Sequence, residues 1–232
     1  MILKLLDHIK VEHIVKILNV EPVARNVKRF ILEKPVGYSF VAGQATDISI
    51  NQPGLTEELR PFTFTCTNDK EYLEFIIKIY KGHEGITEKL SVLTTGDELI
   101  IHDVFGTIHF IGPGVFIAGG AGITPFIAIL RQLKLDGALA GNTLLFANYA
   151  EEDIILRAEL KYMLGDQYVD ILKTPTKPGA IGAVINLDLL RNYSTQKNAY
   201  YYVCGPDPFI LAVLEMLETL NIDKAFIVLE AY

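Results

Sequence analysis

Val115–Pro125 reads Val-Phe-Ile-Ala-Gly-Gly-Ala-Gly-Ile-Thr-Pro, and this stretch decides the fold class. A short apolar run leads into three closely spaced glycines, and a helical pattern of apolar residues follows over Phe126–Leu133. Strand, glycine turn and helix in this order present the phosphates of a dinucleotide to a helix N-terminus. Thr124 stands where an N-cap hydroxyl is expected, and Pro125 suits the first helical turn. The alternative is a buried strand that ends in a tight turn, because short glycine motifs are common.

Strand-like and helix-like segments alternate from Val115 to the end of the chain. The predicted strands are Val115–Ala118, Thr143–Asn148, Val169–Leu172, Tyr201–Cys204 and Ala225–Leu229. The predicted helices are Phe126–Leu135, Arg157–Leu164, Leu187–Leu190 and Pro208–Leu220. Strands that alternate with helices predict βαβ units, and hence a five-stranded parallel sheet.

The first part of the chain has a different pattern, with short strands and turn residues between them. The predicted strands are His13–Leu18, Val27–Leu32, Gln44–Ile50, Phe62–Cys66, Tyr72–Ile79 and Glu98–Asp103. Thr87–Leu93 is the helical stretch among them. This spacing predicts a small six-stranded antiparallel barrel. The pattern changes at Gly112-Pro113-Gly114, so we predict a barrel domain at 1–111 and an α/β domain at 112–232.

The composition excludes several function classes. The chain has 232 residues, half of them hydrophobic, and a formal net charge of −7, which disfavours nucleic acid or an anionic membrane as partner. We find no apolar run long enough to span a membrane and no secretory signal. Two distant cysteines, Cys66 and Cys204, make neither a disulfide framework nor a metal site. These features predict a monomeric, cytoplasmic protein in a reducing compartment.

Four motifs follow one another along this pattern. The first is Arg60–Thr65, Arg-Pro-Phe-Thr-Phe-Thr, and the second is Lys78–Thr87, which enters the helical stretch. The glycine loop is the third, and Tyr202–Pro208, Tyr-Val-Cys-Gly-Pro-Asp-Pro, is the fourth. In this order, over nearly the whole chain, they resemble the ferredoxin–NADP reductase superfamily, specifically its small two-domain flavodoxin and ferredoxin reductases. The resemblance implies an FAD-binding barrel followed by an NAD(P)-binding α/β domain.

The first two motifs carry the FAD contacts that the resemblance implies. A flavin needs a cation for its pyrophosphate, a flat apolar face for its ring and a hydrogen-bonding group near N5, which Arg60, Phe62 and Thr63 can supply. In the second motif His83-Glu84 stands where many relatives have two glycines, so Glu84 must point away from a diphosphate. The implied FAD set is Arg60, Pro61, Phe62, Thr63, Ile77, Lys78, Ile79, Gly85, Ile86, Thr87 and Tyr232.

The glycine loop and the fourth motif carry the implied nicotinamide nucleotide contacts. By the switch-point rule, residues just past a parallel strand lie at the ligand crevice. The resemblance places Cys204 at the nicotinamide, whereas an inert, buried thiol is the alternative for Cys204 and the preferred interpretation for Cys66. The implied NAD(P) set is Gly119, Gly120, Gly122, Thr124, Pro125, Glu151, Cys204, Gly205 and Pro206.

The C-terminus adds two residues to the implied reaction site. In plant-type relatives, a final strand carries a glutamate near the nicotinamide and then an aromatic residue that stacks on the flavin. Glu230 and Tyr232 match these residues in type and spacing. The implied catalytic group is therefore Thr63, Cys204, Glu230 and Tyr232.

The choice of nucleotide depends on the residues that follow the second strand of the α/β domain. Glu151, Glu152 and Asp153 can bond ribose hydroxyls and would repel a 2′-phosphate, which favours NADH. Arg157 lies one turn further and can support NADPH instead. An ordinary acidic helix start is the third interpretation.

These observations predict a flavoprotein that moves hydride from NAD(P)H to FAD and passes single electrons to a separate carrier such as flavodoxin or ferredoxin. Two cysteines cannot hold an iron–sulfur cluster, so the acceptor must be another molecule. Arg25, Lys28, Arg29 and Lys34 are the candidate docking patch for it. The alternatives are a ferric or free-flavin reductase, the reductase component of an oxygenase, and a non-catalytic flavin- or nucleotide-binding module.

Overall fold

The computed structural model describes residues 11–106, 108–174, 184–193 and 199–230, and the strands of these residues form two sheets. The first sheet is antiparallel, with the spatial order β4-β3-β6-β1-β2-β5. Its strands are β1 (His13–Ala24), β2 (Val27–Glu33), β3 (Ala45–Ile50), β4 (Arg60–Thr63), β5 (Tyr72–Lys78) and β6 (Glu98–Phe105). The predicted six-stranded antiparallel sheet is confirmed.

The barrel closes just beyond β4. Phe64 donates its N–H to the Gln44 carbonyl at 3.1 Å and forms a bridge with Phe75 of β5. Thr65 continues the contact by donating to the Glu74 carbonyl at 2.9 Å. This exchange of partner ends β4 at Thr63, whereas the sequence pattern predicts a strand up to Cys66.

Large apolar side chains fill the barrel. Phe30, Phe64 and Phe75 are fully buried, and they point inward because alternate residues of a strand share one face. A single helical turn, α1 (Ile86–Leu90), adds buried Ile86 and Leu90 to the same core. The prediction placed this helix at Thr87–Leu93; it ends earlier because the Ser91 hydroxyl donates to the Glu88 carbonyl.

The second sheet is parallel throughout, with the spatial order β11-β10-β7-β8-β9. Its strands are β7 (Gly114–Gly119), β8 (Thr143–Asn148), β9 (Tyr168–Leu172), β10 (Tyr200–Cys204) and β11 (Ile227–Leu229). The helices are α2 (Thr124–Leu135), α3 (Arg157–Leu164), α4 (Leu187–Tyr193) and α5 (Asp207–Thr219). The predicted five-stranded parallel sheet is confirmed. β11 begins later than predicted because Asp223 caps a 3-10 turn over Lys224–Phe226.

The strand order creates a switch point at β7. From this central strand the chain crosses to β8 on one side and later returns through β10 on the other. A crevice opens outside the carboxyl ends of strands at such a point. The glycine loop after β7 and the Cys-Gly-Pro motif after β10 therefore meet there.

The barrel and the parallel-sheet unit share an apolar core. Val27 and Ile76 of the barrel belong to the same buried cluster as Phe116 and Ile127 of the parallel-sheet unit. Tyr202 holds the connecting segment, because its hydroxyl accepts from the N–H groups of Ile111 and Gly112, both at 3.0 Å. Among the helices described, none combines the length and the apolar character needed to cross a membrane.

Candidate functional site

A cleft of about 850 Å³ lies between the barrel and the carboxyl edge of the parallel sheet. Residues of β4 and β5 form its barrel wall, and the loops after β7, β8 and β10 form the opposite wall. Most of the predicted site residues line it. They are Pro61, Phe62, Thr63, Ile77, Lys78, Thr87, Gly119, Gly120, Gly122, Thr124, Cys204, Gly205, Pro206 and Glu230.

Some predicted FAD contacts do not line this cleft. Arg60 is exposed at the start of β4, where its guanidinium donates to the Leu59 carbonyl at 2.7 Å. Ile79 and Ile86 are buried in the barrel core, so their side chains pack rather than face a ligand. Gly85 lies at the N-cap of α1, outside the lining. Tyr232 lies outside the described residues.

Two predicted NAD(P) contacts also lie away from the cleft. Pro125 is buried in the first turn of α2. A carboxylate oxygen of Glu151 lies 3.9 Å from the Arg157 guanidinium. Neither residue is part of the cleft lining.

Thr124 does not act as the predicted N-cap of α2. Gly120–Ile123 form a 3-10 turn that leads straight into the helix, so Ile123 occupies the N-cap position and Thr124 is already helical. No side chain caps this end. Thr124 lines the cleft instead, and its N–H donates to the Ala121 carbonyl within the 3-10 turn.

The glycines of the two loops pack backbone against backbone. A Cβ on Gly122 would lie 2.5 Å from the carbonyl carbon and oxygen of Cys204. A Cβ on Gly119 or Gly205 would lie 2.8 or 2.7 Å from the ring of Phe209. Of the three loop glycines, Gly120 alone has a positive φ, of 54°. Close approach is therefore the main reason for glycine here, and the bare backbone leaves room for a phosphate chain.

Cys204 and Glu230 meet at the floor of the cleft. The Cys204 thiol is buried and lies 3.6 Å from a carboxylate oxygen of Glu230. Burial raises the pKa of this thiol far above its usual range, and the nearby Glu230 carboxylate raises it further. Cys204 is thus a neutral thiol that donates to Glu230, because a thiolate would be both desolvated and repelled.

On the barrel wall, Phe62 and Thr63 are half-buried side chains of a short edge strand. Lys78, at the end of β5, extends across the cleft, with its Nζ 4.0 Å from where a Cβ on Gly120 would stand. The ammonium also lies 5.7 Å from the centre of the Tyr80 ring. The structure thus places an aromatic face, a hydroxyl and a cation opposite the glycine loop.

The loop before α1 differs from the predicted phosphate site. The N–H groups of Gly82, His83 and Glu84 donate to the carboxylate of Glu88 at 2.9–3.1 Å, and these bonds lower the pKa of Glu88. A carboxylate of the chain itself therefore occupies part of the loop. Thr87 remains at the cleft, where its hydroxyl accepts from the Tyr80 N–H at 3.4 Å.

The acidic run after β8 is paired with arginines. Arg25, in the β1–β2 turn of the barrel, donates to both oxygens of Asp153 at 2.9 and 2.6 Å and to Glu152 at 2.8 Å. Its N–H also donates to the Glu152 carbonyl at 2.7 Å. Arg25 and Asp153 both line the cleft, so this contact bridges the two walls.

These contacts also bear on the candidate docking patch. Lys28 donates to the Ser91 carbonyl at 2.6 Å, and Lys34 donates to the Asn68 carbonyl at 2.6 Å. Arg29 pairs with Glu21. Together with Arg25, all four cations have partners within the chain, but Lys28 and Lys34 bond only neutral oxygens and keep their charge. The docking patch therefore stays a prediction.

The predicted site residues omit several residues of the lining, among them Asn148, Tyr149 and Lys173. These three residues follow or end the parallel strands β8 and β9, where the switch-point rule could have singled them out. Arg25 was assigned to a docking patch and is found at the cleft. The described residues contain no group of His, Cys, Asp and Glu side chains suited to a metal ion.

Comparisons with known proteins agree with this geometry. A ferredoxin–NADP+ reductase from Neisseria gonorrhoeae, solved with bound FAD and NADP, superimposes with a TM-score of 0.80 at 18% identity, over 94% of this chain and 97% of its own. Residues 116–215 match the family model of the oxidoreductase NAD-binding domain. The fold is therefore that of a ferredoxin–NADP reductase, and residues 116–215 are similar to the oxidoreductase NAD-binding domain. The predicted resemblance is confirmed.

Two curated relatives extend the comparison to the barrel. The reductase component of propane 2-monooxygenase from Rhodococcus jostii is 28% identical over 222 residues, which cover 88% of this chain and 59% of the relative. NADH-cytochrome b5 reductase 1 from Laccaria bicolor is 34% identical over 198 residues, which cover 77% of this chain and 62% of the relative. The chain thus spans about three fifths of the length of these relatives.

Proposed function

We propose that this chain is an FAD-dependent NAD(P)H oxidoreductase that passes electrons to a separate carrier. The observation that carries the proposal is the shared cleft, where Phe62 and Thr63 of the barrel face the glycine loop and Cys204. A reaction between two bound groups requires both to be held face to face, and the two walls provide this arrangement. The solved reductase with bound FAD and NADP has the same fold, which supports the proposal.

The barrel, residues 1–111 in the proposed division, fits FAD. Phe62 offers a flat apolar side chain, Thr63 a hydroxyl three strand positions past the exposed Arg60, and Lys78 a cation in the same cleft. Bound FAD would accept a hydride from the nicotinamide and release electrons one at a time. The role of Thr63 is to hydrogen-bond the reacting edge of the ring and hold its orientation.

The parallel-sheet unit, residues 112–232, fits the nicotinamide nucleotide. Gly119, Gly120 and Gly122 let a pyrophosphate approach the backbone where the 3-10 turn begins, and the positive end of the dipole of this turn and α2 faces it. Cys204 presents a neutral thiol at the proposed nicotinamide position. Glu230 holds that thiol by accepting its hydrogen bond and keeps the thiol protonated.

For the electron acceptor, we propose a protein carrier of the flavodoxin or ferredoxin type. The names of the relatives widen this class to the partner component of a monooxygenase or to cytochrome b5. A small-molecule acceptor, ferric iron or free flavin, is the second candidate, and the pairing of Arg25 and Arg29 with acidic side chains favours it. The free, buried thiols of Cys66 and Cys204 support a proposed cytoplasmic location.

An anaerobic titration of the flavin-loaded protein with NADH and, separately, with NADPH tests the activity. We expect the visible flavin absorbance to bleach with at least one nucleotide. Thr63→Val should retain the flavin and reduce it more slowly, by tenfold or more, and Thr94→Val, at an exposed turn of the barrel, is the matched control. No bleaching with either nucleotide in a flavin-loaded protein would instead support the non-catalytic binding module.

Rapid mixing of the reduced protein with each candidate acceptor distinguishes a protein carrier from a small-molecule acceptor. We expect flavodoxin, ferredoxin or cytochrome b5 to be reduced much faster than ferric citrate or free FMN. A preference for the small molecules would overturn the protein-carrier proposal while leaving the reductase activity intact.

A further inference from the structure

Arg25 links the barrel to the parallel-sheet unit across the cleft. Its Nε and one terminal nitrogen donate to the two carboxylate oxygens of Asp153 at 2.9 and 2.6 Å, and the other terminal nitrogen donates to Glu152 at 2.8 Å. The backbone N–H of Arg25 also donates to the Glu152 carbonyl at 2.7 Å. A guanidinium that binds both oxygens of one carboxylate fixes their relative orientation as well as their distance. These four bonds are called the Arg25 contact below.

On the barrel side, the Arg25 contact is fixed to the strand that forms one wall of the cleft. Arg25 and Asn26 make the two-residue turn between β1 and β2. Asn26 has a positive φ, of 55°, which asparagine tolerates in tight turns. Its carbonyl accepts the N–H of Ile79 at 2.7 Å, and Ile79 directly follows Lys78, the last residue of β5. The position of Arg25 is therefore coupled to the end of β5.

On the other side, the Arg25 contact is fixed to the turn that follows β8. Glu151–Asp153 form a 3-10 turn, and the Asp153 carboxylate closes it by accepting the Ala150 N–H at 3.1 Å. This turn lies at the carboxyl edge of the parallel sheet, two residues after β8 ends at Asn148. Arg25 and Asp153 both line the cleft. The contact therefore joins the barrel wall directly to the carboxyl edge that faces it.

A second contact between the units also involves β5, but it is buried. Arg131 of α2 donates to the carboxylate of Glu74 and to the Thr65 carbonyl. In contrast, the Arg25 side chain is 44% exposed. Salt screens charges in water far more than it screens buried charges. The buried contact is therefore insensitive to salt, whereas the Arg25 contact is the one that salt or a single substitution can release.

We propose that Arg25 is a positioning residue for hydride transfer, because its contact holds the two walls of the cleft at the spacing that the reaction needs. The inference rests on the proposed function and deepens it by assigning part of the rate to a residue that touches neither ring. In the proposed reaction, the hydrogen and both electrons of the C4–H bond of NAD(P)H pass to N5 of the flavin, and NAD(P)+ remains. Reacting atoms must approach to about 3–3.5 Å, and a misplacement of about 1 Å can cost on the order of 100-fold in rate.

Rapid-mixing reduction of the flavin-loaded protein at saturating NADH or NADPH tests the inference. Arg25→Gln should retain the flavin and slow its reduction at saturating nucleotide by at least fivefold. Asp153→Asn removes the carboxylate from the opposite wall and should also slow the saturating rate, by at least threefold. The two changes alter the net charge in opposite directions, so a charge effect on nucleotide binding cannot explain a loss in both.

Two further variants separate geometry from charge. The double variant Arg25→Gln with Asp153→Asn should be no slower than the slower single variant, because both changes remove the same contact. Arg25→Lys should recover only part of the rate, because an ammonium keeps the charge but does not bind both oxygens of a carboxylate in a fork. Lys161→Gln, at an exposed position of α3, is the control for net charge and should leave the rate unchanged.

Distances between spin labels give a readout that needs no flavin reduction. Glu57→Cys in the barrel and Asp166→Cys in the parallel-sheet unit are exposed sites for the labels, whereas Cys66 and Cys204 are buried. Pulsed electron paramagnetic resonance should find a longer or broader distance distribution in Arg25→Gln than in the otherwise unmodified protein. Salt at about 1 M, where the screening length is about 3 Å, should change the unmodified protein in the same direction and Arg25→Gln little.

The outcomes distinguish this inference from the proposed function. If NADH or NADPH bleaches the flavin and Arg25→Gln has a saturating rate within twofold of the unmodified protein, the inference fails and the reductase stands. An unchanged distance distribution in Arg25→Gln, or a loss of rate that only accompanies a general loss of stability in urea, would also overturn it. If neither nucleotide bleaches the flavin of the unmodified protein, the proposed function fails, and the role in hydride transfer fails with it.

Discussion

The guanidinium of Arg131 on α2 donates to the carboxylate of Glu74 on β5, and this contact ties the parallel-sheet unit to the barrel. Glu74 is 3% exposed, so its charge is almost fully removed from water. Arg131 also donates to the Thr65 carbonyl at 2.8 Å and to both oxygens of Glu159 at 2.6 and 2.8 Å. Because Ile76 and Lys78 follow Glu74 on one face of β5, the pair also fixes the barrel wall of the cleft.

Replacing Arg131 should therefore lower the free energy of unfolding substantially. Arg131→Met leaves buried Glu74 with the Thr65 hydroxyl, at 2.7 Å, and the more distant Arg29, at 3.9 Å, as its remaining partners. Arg29 is then the nearest cation, so we expect a loss of about 3 kcal/mol in the free energy of unfolding. Urea unfolding followed by circular dichroism measures it. The double variant Arg131→Met with Glu74→Gln should recover part of the loss, because no unpaired charge remains. A single variant within 0.5 kcal/mol of the unmodified protein would contradict the expectation.

The same network predicts a pH dependence of stability. Burial opposes ionisation of Glu159, but the hydrogen bonds and the charge of Arg131 outweigh it and lower the pKa of Glu159. The ionised carboxylate therefore stabilises the folded state above the unfolded pKa of about 4.3. This stability is lost as the pH falls below that value through the folded pKa.

Glu159→Gln measures that contribution. The side chain is 35% exposed, so solvent screening limits the effect to about 1 kcal/mol or less at pH 7. We expect the urea midpoints of the unmodified protein and the variant to differ at pH 7 and to approach each other as the pH falls below about 4.3. A difference between the midpoints that does not shrink below that pH would show that Glu159 does not titrate as expected.

Both cysteines should resist alkylation in the folded protein. Burial raises the pKa of Cys66 to about 11, and burial together with Glu230 raises the pKa of Cys204 further. The reactive thiolate is therefore scarce at pH 8. Intact-mass spectrometry after iodoacetamide treatment should find no modification of the native protein and two modifications after denaturation. Rapid labelling of Cys204 in the native protein, assigned with Cys66→Ser, would contradict the neutral-thiol interpretation.

Gly122→Ala should disrupt nucleotide binding more than stability. The new Cβ would lie 2.5 Å from the Cys204 carbonyl, so the glycine loop and the Cys-Gly-Pro turn must move apart. We expect at least a 30-fold loss in the rate of flavin reduction by NAD(P)H at low nucleotide concentration, with the flavin retained.

Gly137→Ala is the matched control for that variant. Gly137 has a φ of 67° with open space around it, so alanine there costs about 1 kcal/mol in backbone strain and adds no clash. Its nucleotide kinetics should match those of the unmodified protein. Equal kinetic losses in the two variants would mean that Gly122 acts through general stability instead of through the loop contact.

Local sequence patterns were sufficient to predict the two sheets and much of the cleft lining. Alternation of apolar residues and turn residues over 11–106 predicts the antiparallel strands, and the glycine turn at 119–122 predicts the switch from hairpins to crossovers. Phe62, Thr63 and Cys204 were predicted at the site because their motifs resemble those of the ferredoxin–NADP reductase superfamily, and these motifs begin or end strands. A strand end has a defined position in a sheet, so a local motif is sufficient to locate it.

Only the tertiary structure decided which charged side chains pair with one another. Arg25 and Asp153 are 128 positions apart, and the Arg131–Glu74 pair joins helix and strand across the two units. Glu88 holds a loop that was expected to be open to phosphate, and Asn148 is left unsatisfied at the cleft. A long charged side chain can reach several partners, and only the packed fold determines which one is near and how much water lies between them. Sequence therefore determined the framework of this protein, and tertiary packing decided the electrostatics of its site.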